Sequence, residues 1–110
     1  MITHEHPRLG KLVLIRSADE LTQGDLERFN SVYQSLNGIS DPFGKLVRAA
    51  AQAGWIVEPE IRPEDVESLP AKKVRWYGQL VDRLYDEATT VDPKSLTPSQ
   101  TMPATAAESP

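Results

Sequence analysis

The chain contains no cysteine, which excludes disulfides and thiolate metal sites. Its two histidines, His4 and His6, both lie close to the N-terminus. The sequence has no G-x-S-x-G motif and no glycine-rich phosphate loop. Because these residues supply no combination of nucleophile, base and acid, the sequence predicts a protein that is not an enzyme and that holds no cofactor or metal.

Long apolar runs are also absent. The run Leu12–Ile15 is far shorter than the roughly 20 apolar residues that a membrane span needs, and it is too short for a signal peptide. Acidic residues are in excess, with a formal net charge of −4, whereas nucleic-acid binding depends on uncompensated lysine and arginine. We therefore expect a soluble cytoplasmic protein that binds neither membranes nor nucleic acid.

Hydrophobic residues make up 39% of the chain, and every aromatic residue lies between Phe29 and Tyr85. Residues 92–110 contain four prolines and no aromatic residue, a composition that does not support a core. The predicted organisation is a flexible N-terminus over residues 1–10, a helical domain over 11–91 and a disordered tail over 92–110. A domain of this size buries only roughly 60–65% of its unfolded surface, so association with a partner or with a second copy would help to stabilise it.

Cap and stop signals predict three main helices. The first begins at the N-cap Thr22, where Asp25 completes a weak capping box, and it ends at Asn37-Gly38. The second runs from a cap at Ser40 or Asp41 to the stop at Gly54. The third and longest covers residues 71–90, with one apolar stripe. It consists of Val74, Tyr77, Val81, Leu84, Tyr85 and Ala88.

Two further segments complete the predicted architecture. Lys11–Arg16 has the composition of a buried strand, and its one plausible partner inside the chain is Trp55–Val57, which would give a two-stranded ribbon at most. Between Gly54 and Pro70, prolines redirect a stiff connector that contains a short helix beginning at Pro63, and Ser68 is expected to cap the helix that follows. The predicted fold is therefore mainly α, a small bundle of three main helices with a connector helix and one short N-terminal strand. Trp55 is expected in its core.

Three groups of side chains are candidates for a site. The H-x-H pair of His4 and His6 lacks further metal ligands and is interpreted as part of a solvated tail. The carboxylates of the connector are expected to pair with cations at the start of the long helix, and partner docking is the alternative. The third group lies off the main stripe of the long helix and is predicted to bind a protein partner, the alternative being a wide buried face. It consists of Trp76 and Leu80, with Lys72, Arg83 and Glu87 at its rim.

Part of the chain resembles the small tail proteins of tailed bacteriophages and prophages, which are described as tail assembly chaperones or tail-completion proteins. The resemblance covers residues 19–93 and is carried by Gly54-Trp55, by the turn Pro63–Val66 and by the closing Val91–Pro93. It implies a non-enzymatic protein in the host cytoplasm that holds a tape-measure protein soluble and helps tail-tube subunits to assemble. A structural component of the virion and a helical adaptor or regulator are the alternative functions.

Overall fold

The computed structural model describes residues 1–91, so the predicted disordered tail 92–110 lies outside the described residues. The elements, in order, are β1 (Ile2–His6), β2 (Gly10–Leu14), α1 (Gln23–Ser35), α2 (Pro42–Gln52), β3 (Ile56–Glu58), a 3₁₀ helix (Pro63–Ser68) and α3 (Ala71–Thr89). The three strands form one antiparallel sheet in the order β1-β2-β3. The predicted mainly α bundle with a single N-terminal strand is therefore wrong, because a three-stranded sheet packs with the helices.

The structure differs most from the predicted fold at the N-terminus, where residues that were expected to be flexible form β1 and a hairpin turn. Side chains of β1 alternate between partly buried and exposed positions, as in a strand with one covered face. His6 stabilises the turn, since its Nδ1 accepts the backbone N–H groups of Arg8 at 3.0 Å and Leu9 at 3.2 Å. Gly10 then takes a φ of 97°, which glycine adopts without steric cost. The histidines are therefore strand residues, and their interpretation as a solvated tail is wrong.

The predicted pairing between β2 and the segment after Gly54 is confirmed. Leu14 is opposite Ile56, and the backbone N–H of Ile15 donates to the Trp55 carbonyl at 2.8 Å. The expected limit of two strands is wrong, because β1 pairs with the other side of β2. Trp55 is confirmed as a core residue: only 1% of it is exposed, and its ring stacks on Phe29 at a centroid distance of 4.5 Å.

The helix boundaries follow the predicted caps, except for α3. Thr22 and Asp25 form the capping box of α1, and Asp41 caps α2 by accepting the Gly44 N–H. Ser68 does not cap α3, since Pro70 occupies the cap position without a side-chain hydrogen bond. The predicted connector helix is present as the 3₁₀ helix.

The connector carboxylates also differ from the expectation in their partner. Asp65 and Glu64 pair with Arg62, at 3.3 Å and 3.7 Å, rather than with cations at the start of α3. The pairs lie within the connector itself, and their side chains remain exposed to solvent. Arg62 therefore takes the place of the expected α3 cations for Glu64 and Asp65, and Glu58 pairs with Lys11 of β2 at 2.7 Å.

Candidate functional site

The five residues predicted to bind a partner lie along one side of α3. They are Lys72, Trp76, Leu80, Arg83 and Glu87, and we call this line the α3 stripe. Successive members are four, four, three and four residues apart, the spacing that places side chains on one face of a helix. These positions form a continuous line on α3, but their side chains differ in solvent exposure.

The middle of the α3 stripe lies against the sheet. Leu80 is only 6% exposed, and Trp76 is half-buried with its ring in an edge-to-face contact with His6 at 5.5 Å. Lys72, Arg83 and Glu87 are exposed. For Leu80, the alternative prediction of a wide buried face is therefore correct. β1 and β2 cover this side of α3, for which the sequence had indicated no neighbour within the chain. Binding of a partner by the stripe remains a prediction.

Beside the stripe, a cavity of about 130 Å³ opens between the sheet and the second half of α3. We call it the β1–α3 cleft. Five aliphatic side chains contribute apolar surface: Ile2, Leu14, Ala18, Leu80 and Leu84. The polar lining comes from three segments: His4 of β1, Arg16 and Ser17 after β2, and Arg83 and Glu87 of α3. Three of the five predicted binding residues therefore line one cleft, whereas Lys72 and Trp76 do not.

The position of Arg16 in the cleft is fixed by Asp25. The Arg16 guanidinium Nη1 lies 3.4 Å from Asp25 Oδ2. Asp25 is itself 7% exposed and accepts the backbone N–H of Thr22 at 3.0 Å, and Thr22 Oγ1 accepts the Asp25 N–H at 3.1 Å. The helix cap therefore holds the carboxylate, and the carboxylate holds the arginine.

The pKa of Asp25 lies below the ordinary value for an aspartate. The hydrogen bond from the Thr22 backbone contributes most to this shift, and the Thr22 hydroxyl, Arg16 and Arg28 add to it. Burial acts in the opposite direction because it disfavours the charged carboxylate. Asp25 is consequently an anion at neutral pH, and it offsets part of the charge of the arginine at the cleft.

The charges at the cleft favour an anionic group on the ligand. Arg16 and Arg83 are permanent cations, whereas Glu87 is the one carboxylate in the lining. Within residues 1–91, Arg83 forms no ion pair, so its guanidinium is available to a ligand. An apolar cavity beside a free guanidinium suits an aliphatic side chain that has a carboxylate nearby.

The cleft lacks the geometry for acyl transfer, although His4 and Ser17 both line it. The Ser17 hydroxyl donates to Glu20 Oε1 at 3.1 Å, and within the described part of the chain it makes no hydrogen bond to a histidine. Over the same residues, no group of three or more histidine, aspartate or glutamate side chains is arranged to hold a metal ion. No helix among residues 1–91 is both long enough and apolar enough to cross a membrane.

Sequence reasoning missed the N-terminal half of the cleft. Ile2 and His4 belong to a strand that was expected to be loose, and Arg16 comes near α3 only because β2 packs against it. The available signal was the alternation of apolar or aromatic with polar residues from Ile2 to His6, which is typical of a strand with one buried face. Comparison of the chain with models of protein families, with curated proteins and with solved structures gives no match.

Proposed function

We propose that this chain is a non-enzymatic protein-binding factor in phage tail assembly. In this proposal it holds a segment of a tape-measure or tail-tube protein in the β1–α3 cleft. The lining of the cleft carries the proposal, because its aliphatic walls lie beside Arg16 and Arg83. The partner class comes from the resemblance of residues 19–93 to tail assembly chaperones.

The size of the cleft favours a protein side chain over a metabolite. Sites for small molecules generally enclose about 300–1,000 Å³, and this cavity measures about 130 Å³. One apolar side chain of a partner can fill it, and a neighbouring carboxylate on the same segment can reach Arg83. Such a contact is small, which suits an assembly factor that must release its partner.

Charge reversal at Arg16 tests the proposed site, with Arg28 as the matched control. Both arginines contact Asp25, at 3.4 Å and 3.5 Å, but only Arg16 lines the cleft. The chain is co-expressed with the tape-measure and tail-tube proteins of the same phage or prophage and is purified through a tag. We expect wild type and Arg28→Glu to retain the partner and Arg16→Glu to lose it. Retention by Arg16→Glu would exclude the cleft as the binding surface.

Two further outcomes bear on the function itself. If wild type captures neither tail protein, the proposed role in tail assembly is wrong. Mass spectrometry of purified particles and of assembly extracts tests the role separately, since an assembly factor is present in extracts and absent from finished particles. Detection of the chain in finished particles would instead identify a structural component of the virion.

A further inference from the structure

The sheet has two edge strands, β3 and β1, and only β3 has features that hinder pairing with a further strand. β3 is three residues long and Pro59, which cannot donate a backbone hydrogen bond, follows it directly. β1 is five residues long, contains no proline and pairs on one side with β2. Within residues 1–91, no strand pairs with its outer edge. A free edge of this kind accepts another strand.

The α3 stripe beside this edge is complementary to its own reverse. When the line is read in the opposite direction, Lys72 is opposite Glu87 and Trp76 is opposite Arg83, while the central Leu80 is buried within its own copy. These pairings give an ion pair and a cation over an indole ring on each side of the axis. A surface that matches its own reverse is the requirement for a contact across a two-fold axis.

The midpoint of β1 and the midpoint of the α3 stripe lie at about the same level along the molecule. The Trp76 ring contacts His6 at the end of β1, whereas Arg83 and Glu87 share the cleft with Ile2 and His4. α3 therefore runs antiparallel to β1. With a rise of about 3.3 Å per strand residue and 1.5 Å per helix residue, His4 lies at about the level of Leu80. One two-fold axis at that level relates both elements.

The expected distance between the two α3 helices is also compatible with a two-fold dimer. Residues of β1, β2 and α3 line the cleft together, so we place the axis of α3 over that pair of strands. Two copies joined at β1, with strands about 4.8 Å apart, would bring their α3 helices to roughly 10 Å from each other. This is close to the distance of about 8–10 Å at which helices pack. A strand pair alone is smaller than the roughly 1,000 Å² that a stable interface needs, and the two helices add to it.

We propose that a second copy of this chain docks on β1 and on the α3 stripe. The product is a two-fold dimer with a continuous six-stranded antiparallel sheet and two antiparallel α3 helices on one face. Trp76 of the second copy then lies beside the open side of each β1–α3 cleft. Arg83 and Glu87 also line the cleft, so the dimer and the partner proposed above would use the same two side chains, whereas Arg16 belongs to the cleft alone.

The test measures the mass of the purified protein in solution together with a charge-swap cycle. Sedimentation equilibrium should give twice the chain mass of 12.2 kDa. Lys72→Glu and Glu87→Lys should each shift the equilibrium towards monomer, and the double variant should restore the dimer. Both side chains are exposed, so circular dichroism should show an unchanged fold. A monomeric wild type, or a double variant that is no better than the single ones, would overturn the proposal.

A single introduced cysteine locates the axis, since the chain has no cysteine of its own. In the proposed dimer His4 is opposite His4 of the second copy, so His4→Cys should form a disulfide-linked dimer under mild oxidation. Thr3→Cys is the control, because the two positions would lie about 8 Å apart, beyond the roughly 7 Å limit for a disulfide. Equal cross-linking of both variants, or none at His4→Cys, would contradict the proposed register. The Arg16→Glu variant should remain dimeric, which separates this test from the test of partner binding.

Discussion

Replacing Trp55 with alanine removes one of the largest fully buried side chains of the described residues. Its indole ring stacks on Phe29 at 4.5 Å and approaches Tyr85 at 6.4 Å, so it joins α1, α3 and the start of β3. No side chain is positioned to refill the space, because its neighbours are rings fixed by their own helices. The substitution therefore leaves a cavity at the centre of the core.

The size of the effect follows from the buried area. An aromatic side chain buries about 150–250 Å², and about 25 cal/mol per Å² gives roughly 4–6 kcal/mol as an upper value. Measured deletions of buried aromatic side chains cost about 3–5 kcal/mol. A small domain has only about 5–15 kcal/mol of stability in total. We therefore expect Trp55→Ala to remove a large fraction of the free energy of unfolding, about 3–5 kcal/mol.

Urea unfolding followed by circular dichroism and by tryptophan fluorescence, which Trp76 alone supplies in the Trp55 variants, measures the loss of stability. Trp55→Phe is the matched control, since it keeps a ring against Phe29 and removes an indole N–H that has no partner among the described residues. The control should cost less than about 1.5 kcal/mol, because loss of an unpaired buried donor partly offsets the smaller ring. A Trp55→Ala variant within about 1 kcal/mol of wild type would refute the placement of Trp55 in the core.

Three further substitutions concern the helices. The ionised Asp25 carboxylate stabilises the fold, and its pKa is lowered chiefly by the Thr22 backbone hydrogen bond. This contribution is complete above the unfolded-state pKa of about 4 and is lost as the pH falls through the lower folded-state pKa. Urea titrations should therefore show a smaller acid-induced loss in Asp25→Asn than in wild type, and an equal loss would contradict this role. Gly78→Ala should destabilise by about 1–3 kcal/mol, because the new Cβ would lie 2.9 Å from the Phe43 side chain. Gly24→Ala should instead stabilise by up to about 1 kcal/mol, since its nearest contact is 3.7 Å away, and thermal melts that rank the two variants in the opposite order would be inconsistent with this packing.

The helices could be predicted from the sequence because their signals are local. Thr22 and Asp25 are three residues apart, and each satisfies a backbone group of the other. Asp41 before Pro42 marks the start of α2 in the same way. β1 was missed because a five-residue strand of mixed polarity gains its stability from β2 and α3, which no window of the sequence contains.

The candidate site could be predicted only in part, for the same reason. Leu80, Arg83 and Glu87 share one face of α3, which helical spacing reveals. Ile2 and Arg16 reach the cleft through the pairing of β1 with β2, a contact between segments that no local pattern encodes. The burial of Leu80 follows from the same missed strand.

The most direct measurement is a map of the bound surface by nuclear magnetic resonance, which suits a chain of 12.2 kDa. The isotope-labelled chain is titrated with unlabelled tape-measure or tail-tube protein, and backbone amide shifts are followed. Binding through the β1–α3 cleft predicts the largest shifts at Ile2, Arg16, Ser17, Arg83 and Leu84. Shifts confined to the far side of α1, or no shifts with either tail protein, would contradict partner binding in the cleft.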